Sequence, residues 1–130
     1  MLMNKILRTL NSLIGARMAK SGRFVQIETL GRTSGQWRAT PVGYVHAEDG
    51  VLLVRAGHSD AHWALNLLAN PTCRASLRGQ TLTYRAEHLL GDARDDALRA
   101  IKDRYGRGME DRAGAGPTFR LVPVEGQSAA

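Results

Sequence analysis

The sequence predicts a mainly β domain, a small antiparallel barrel with short helices between its strands. Three observations carry that expectation. Six short segments rich in β-branched and apolar residues follow one another at hairpin spacing. Several of them alternate apolar and polar residues, the pattern of a strand with one face on a core. No Gly-x-Gly-x-x-Gly turn follows a strand, so the doubly wound dinucleotide fold lacks its main signature. At 130 residues and 43% hydrophobic, the chain fits a single domain with a core of ordinary size.

Taken in order, residues 1–20 read as an amphipathic helix. Met3, Leu7, Leu10, Ile14 and Met18 recur at three- and four-residue steps, with Lys5, Arg8 and Arg17 among them. Such a helix packs on the barrel, lies over a cofactor site, or rests as a basic face on a membrane. Phe24 to Leu30 is the first strand, Gly31 to Gln36 a turn, and Trp37 to His46 the second strand. Glu48-Asp49-Gly50 signals a hairpin into a third strand, Val51 to Ala56. A short helix follows over Ala61 to Ala69, with Ser59 or Asp60 as its N-cap and Asn70-Pro71 as its stop.

Cys73 to Arg78 and the segment around Leu82, Tyr84, Ala86 and His88 alternate cleanly, with Gly79-Gln80 between them. Asp92 is placed to cap a helix that ends near Tyr105-Gly106. Arg107 to Pro117 reads as a loop, Thr118 to Val124 as the sixth strand, and residues 126–130 as a frayed tail.

Eighteen Lys and Arg against twelve Asp and Glu give a net charge of +6, which favours an anionic partner. Aromatic residues make up only 5% and the basic residues are scattered, so neither a single-strand stacking surface nor a DNA-reading helix is expected. Nucleic acid is therefore not the expected partner. No run of 18 apolar residues and no secretory signal is visible, and the single Cys73 forms no internal disulfide. The cytoplasm is the expected compartment, at the inner face of the membrane if the N-terminal helix binds lipid.

The segment richest in chemistry runs from Leu30 to Val42. Gly31 and Gly35 allow backbone geometries in which amides converge on one point. Arg32 and Arg38 add forked, permanently charged donors, with the hydroxyls of Thr33 and Ser34 between them. This is the composition of a phosphate or carboxylate cradle; the alternative is a hairpin turn whose arginines are solvated. His58 and His62, with Asp60 between, have helical spacing for two metal ligands, but no third ligand is evident and no metal site is expected. Cys73 begins a strand without a basic neighbour, which suits a buried, inert thiol.

Gly31-Arg32-Thr33-Ser34-Gly35-Gln36-Trp37-Arg38-Ala39-Thr40-Pro41 resembles the Gly-Arg-Lys-Ser-Gly-x-x-Arg-x-x-Pro motif of the deazaflavin-dependent nitroreductase family. His62 to Pro71 resembles that family's Trp-x-x-Asn-Leu-x-Ala-Asn-Pro helix, in the same order and at a similar separation. The likeness covers roughly residues 23–90.

It implies a split β-barrel that binds coenzyme F420, a deazaflavin whose tail carries a phosphate and glutamates. It also implies hydride transfer from the reduced cofactor to a small acceptor such as a quinone, a nitroaromatic or an activated alkene. By position, Arg32, Thr33, Ser34 and Arg38 would hold the phosphate, and Thr40, Pro41 and Val42 would line the ring with backbone groups. Arg55, Ala56, Gly57, His58 and Ser59 would form the opposite lip. Trp63 would wall the pocket or anchor the core, and Asn66, three residues on, would bond to ligand or backbone.

Thr33 stands where the family usually has lysine, and Gly43 and Ala64 are small where some members carry aromatic residues. The same fold with FMN is the alternative cofactor reading, and a carrier of flavin, haem or lipid the non-catalytic one. Any proton needed would come from solvent, Tyr44, Tyr84 or His58. Split barrels often pair, so a homodimer is compatible.

Overall fold

Alternation along the strands builds the barrel. In β1 (Phe24–Leu30), Val25, Ile27 and Thr29 are buried while their neighbours are half-exposed. β2 (Trp37–His46), β3 (Leu52–Arg55), β4 (Thr72–Leu77), β5 (Gln80–Leu89) and β6 (Thr118–Pro123) complete a closed antiparallel barrel in the order β1-β2-β3-β6-β5-β4. Closure leaves no unpaired strand edge, which removes the aggregation hazard of an open sheet. The computed structural model describes residues 23–106 and 116–127. The expected N-terminal helix, most of the expected 107–117 loop and the end of the tail lie outside the described residues.

The core fills the barrel lumen with Phe119, Ile27, Leu52, Leu121, Val25 and Val54, each at most 1% exposed. Full burial of side chains of this kind contributes about 1.5–3 kcal/mol apiece. Cys73 is part of this core, and burial pushes its thiol up to about 12, so it stays protonated at neutral pH. The reading of an inert buried thiol agrees with that placement.

Local boundaries differ from expectation where distant contacts decide them. The β4–β5 turn is Arg78-Gly79, one residue earlier than expected. Both residues have positive φ, 52° and 83°, the backbone of a two-residue hairpin turn that matches strand twist.

Helix α1 (His62–Ala69) begins at His62 with Ala61 at its N-cap and no side-chain cap, so neither Ser59 nor Asp60 plays the expected role. The Ala61 amide donates to His58 O at 3.3 Å, which closes a turn over Ser59 and Asp60 ahead of the helix. Upstream, the Ala56 amide donates to Pro117 O at 2.9 Å, and Ala56 O accepts from the Gly116 amide at 3.1 Å. The bonds at Ala56 hold the chain on the lead-in to β6 before it can turn into α1.

Helix α2 (Gly91–Tyr105) likewise has Leu90 at its N-cap, with Asp92 inside the first turn rather than capping it. There the carboxylate still favours the positive end of the helix dipole. Ala97, Leu98 and Ile101 are its buried residues. At its end the Tyr105 ring covers Gly43, where any Cβ would come within 3.1 Å of the ring. The Tyr105 hydroxyl accepts from the Tyr44 amide at 2.8 Å. Gly43 is therefore a seat for Tyr105. Among the described residues no helix is long and apolar enough to cross a membrane.

Candidate functional site: an arginine-lined cleft at one barrel mouth

The register of β1 and β2 sets the site. Thr29 lies opposite Arg38, and Ile27 opposite Thr40, so these four share the inward-facing side of the pair. Near the mouth of the barrel the inward positions turn polar, and α1 crosses there. The result is a cleft of about 500 Å³ lined by Thr29, Gly31, Arg32, Thr33, Ser34, Arg38, Ala39, Thr40, His62, Trp63 and Asn66.

The β1–β2 turn is closed by its own backbone. The Gly31 amide donates to Gln36 O at 2.8 Å and the Gly35 amide to Gly31 O at 2.7 Å. Gly35 has φ +70°, which the turn requires of glycine, and a Cβ at Gly31 would displace the Ser34 hydroxyl. The Gln36 amide is bonded to Ser34 Oγ at 3.2 Å. The expected convergence of amides is thus largely consumed within the turn, and the side chains are left to supply the cleft's donors.

Asn66, 4% exposed, forms the floor. Its Oδ1 accepts from the Arg32 amide at 3.2 Å and from Arg32 Nη1 at 2.8 Å. Its Nδ2 donates to Thr29 Oγ1 at 3.1 Å, which satisfies a hydroxyl that is fully buried. Two donors from Arg32 can meet only an acceptor, so the amide orientation is fixed. Of the two roles foreseen for Asn66, the structure shows the bond to nearby backbone. Trp63 is both cleft wall and core residue: 8% exposed, it lies 6.0 Å from the Phe119 ring.

Arg38 differs from Arg32. Among the described residues it makes no hydrogen bond and no ion pair, and no carboxylate lines the cleft. The nearby acid, Glu28, belongs to the outer face, where it pairs with Arg74 at 3.0 Å. That guanidinium in turn stacks 3.9 Å from the centre of the Trp37 ring. The barrel therefore neutralises its negative charge outside and leaves positive charge inside the mouth. Two arginines, the hydroxyls of Thr33, Ser34 and Thr40, and a planar tryptophan wall form a donor set that fits an anion joined to a flat ring.

The other expected site residues lie elsewhere. Pro41 is opposite Gln26, on the outward side, and Val42 is opposite Val25, deep in the core. Arg55 ends β3 opposite Thr118, and Ala56 is fully buried. Gly57, His58 and Ser59 are exposed on the connection to α1. None of these seven lines the cleft.

Thr29, Gly31, Ala39 and His62 line it without having been singled out as cofactor contacts. For His62 a signal existed, since His62, Trp63 and Asn66 are spaced to share one side of a helix. His62 Nδ1 lies 3.3 Å from Arg32 Nη2 instead of facing His58 across a metal site. Among the described residues no group of three or more His, Cys, Asp or Glu is placed to hold a metal ion. Tyr44 is buried, and Tyr84 sits toward the opposite mouth, so neither reaches the cleft.

No curated protein matches the sequence. Among solved structures, an F420-H2 dependent reductase (FDR-A) is 25% identical, with TM-score 0.62, covering 76% of this chain and 93% of its own. A protein described as a domain-swapped dimer is 22% identical, with TM-score 0.64 and coverage of 84% and 94%. The haem storage protein HutZ of Vibrio cholerae is 18% identical, with TM-score 0.66 and coverage of 89% and 92%. The last two share the fold alone.

The family described as F420H(2)-dependent quinone reductase matches residues 2–124, nearly the whole chain. The chain, a split barrel matched over nearly its whole length, belongs to that family, and F420 is the cofactor the family's description names.

Proposed function

We propose that this protein is a reductase that binds F420 in the arginine-lined cleft and passes a hydride to a small planar acceptor, a quinone in the first instance. The observation that carries the reading is Arg38: a guanidinium on an inward strand face, without a partner among the described residues, in a cleft without a carboxylate. A permanent charge with no partner among the described residues favours an anion there.

In this reading Arg38 holds the phosphate of the tail, with the Thr33 and Ser34 hydroxyls beside it. Trp63 gives the ring a flat wall, and Asn66 keeps Arg32 at the rim. The reduced deazaflavin supplies the hydride, so the protein needs no nucleophile of its own. Binding and orientation are the protein's contribution, and a proton required by the acceptor comes from solvent. Nitroaromatics and activated alkenes fall within the same acceptor chemistry. A homodimer draws its support from the dimeric neighbour, and sedimentation velocity tests it.

Anaerobic mixing with reduced F420 and menadione, a nitroaromatic or an enone in turn tests the reading. Recovery of oxidised-cofactor absorbance, fastest with the quinone, is expected. Binding without turnover on any acceptor would replace the enzyme by a carrier.

A further inference from the structure

We propose that His62 is a positioning residue for Arg32: its neutral ring holds the guanidinium against Asn66, and ring protonation releases it toward an anionic group in the cleft. The proposal rests on the reading of the cleft as the site of the F420 tail.

A guanidinium nitrogen can only donate. For the 3.3 Å contact of Arg32 Nη2 with His62 Nδ1 to be a hydrogen bond, Nδ1 must carry a lone pair, which is the tautomer with the proton on Nε2. Arg32 is held at both ends, by Nη1 on Asn66 Oδ1 at 2.8 Å and by Nη2 on His62. Both of its anchors are acceptors, and an anion in the cleft must compete with them. A protonated His62 has no lone pair to offer and places a second positive charge against the guanidinium. The latch then opens, and the released Arg32 and the charged ring join Arg38 in facing an anion.

Arg32 and Arg38 oppose a charge on the ring, and Asp60, two residues before it, favours one. The charged and titratable groups lining the cleft among the described residues are Arg32 from the β1–β2 turn, Arg38 from β2 and His62 itself from α1. Along the chain before α1, His58 and Asp60 are the nearest titratable groups, both exposed. With no carboxylate among the described residues that line the cleft, an incoming anion is what compensates the protonated ring. Anion binding and proton uptake are thereby linked, and affinity rises as pH falls through the range where histidine changes charge.

The test compares F420 binding by the full chain and by His62→Gln between pH 5.5 and 8.0, with calorimetry in buffers of different ionisation enthalpy to count protons. Glutamine keeps an acceptor for Arg32 but cannot take a proton. The difference between the two profiles cancels any titration of the cofactor itself.

The wild type should bind about fivefold more tightly at pH 5.5 than at pH 8.0 relative to the variant, the scale of one screened like-charge contact. It should also take up a fraction of a proton that the variant does not. Parallel profiles with equal proton uptake would overturn the latch while leaving the cofactor reading intact. Failure of F420 to bind either protein at any pH would overturn both.

Discussion

The two mouths of the barrel are made by opposite ends of the same strands, yet they carry different chemistry. At one, β1 gives way to β2 beneath α1, and the cleft of about 500 Å³ holds Arg32 and Arg38. At the other, a recess of about 240 Å³ is lined by His46, Gly50, Leu77, Arg78, Gln80, Leu82, Tyr84 and Pro123. Both contain an arginine, so a positive charge alone does not distinguish them. The difference is what supports the charge. Arg78 occupies a tight turn at φ 52°, with its side chain on an exposed hairpin tip. Arg38 stands on an inward strand face beside the buried Thr29, above a floor fixed by Asn66. A site arises where a polar network inside the barrel lets charge sit inward.

The comparison is broken most directly by removing the two arginines in turn. Arg38→Ala should weaken F420 binding by about 1.5–3 kcal/mol, the scale of a hydrogen bond to a charged group. Urea stability should change little, because Arg38 has no partner to lose among the described residues. Arg78→Ala should alter F420 affinity less than about twofold, a change of under about 0.5 kcal/mol. Equal losses at both positions in a binding titration would mean that charge, not placement, makes the site.

The floor comes next. Asn66→Ala removes the acceptor for Arg32 and leaves the buried Thr29 hydroxyl without its donor. Loss of about 1–3 kcal/mol of stability, read from the urea midpoint, is expected.

Alkaline pH probes the core between the mouths. Burial pushes the Cys73 thiol from 9.0 to about 12. Tyr84 is raised as well, first by burial and then by the neighbouring Cys73 charge. The fold prefers the protonated form of both groups. For Cys73 that preference is harmless below pH 9, where the unfolded thiol is also protonated, and costs stability as pH rises from 9 toward 12. Denaturation midpoints should fall across that window, with a shallower slope in Cys73→Ala.

The smallest effect belongs to the turn. Thr33→Lys adds a charge at an exposed position lining the cleft, and should strengthen F420 binding by at most about 1 kcal/mol, most clearly at low salt.

Much of this architecture was legible in the residues because it depends on short range. The alternation of Val25, Ile27 and Thr29, or of Cys73 and Ala75, states which face a strand buries. The Gly31–Gly35 turn announces itself through its two glycines, of which Gly35 has the positive φ that favours glycine. The rest depends on partners far along the chain. The lead-in to α1 is tied at Ala56 to Gly116 and Pro117, a pairing that no local residue foretells. Asn66 meets Arg32 and Thr29 across more than thirty residues of chain, so its role as floor could be guessed only in part. The contiguous motif places Pro41 and Val42 together, but strand alternation sends one side chain outward and buries the other, so neither side chain lines the cleft. His62 was weighed as a metal ligand from its spacing to His58; its neighbour in space is an arginine from a different element.

The central claim is that the Arg38 cleft holds F420. Titration of the protein with F420 and, separately, with FMN tests it most directly, followed by the fluorescence of Trp63 in a Trp37→Phe background. Saturable quenching by F420, at least about tenfold tighter than by FMN (some 1.4 kcal/mol) and largely lost in Arg38→Ala, is the predicted result. FMN binding as tightly as F420, or no saturable response to either, would contradict it.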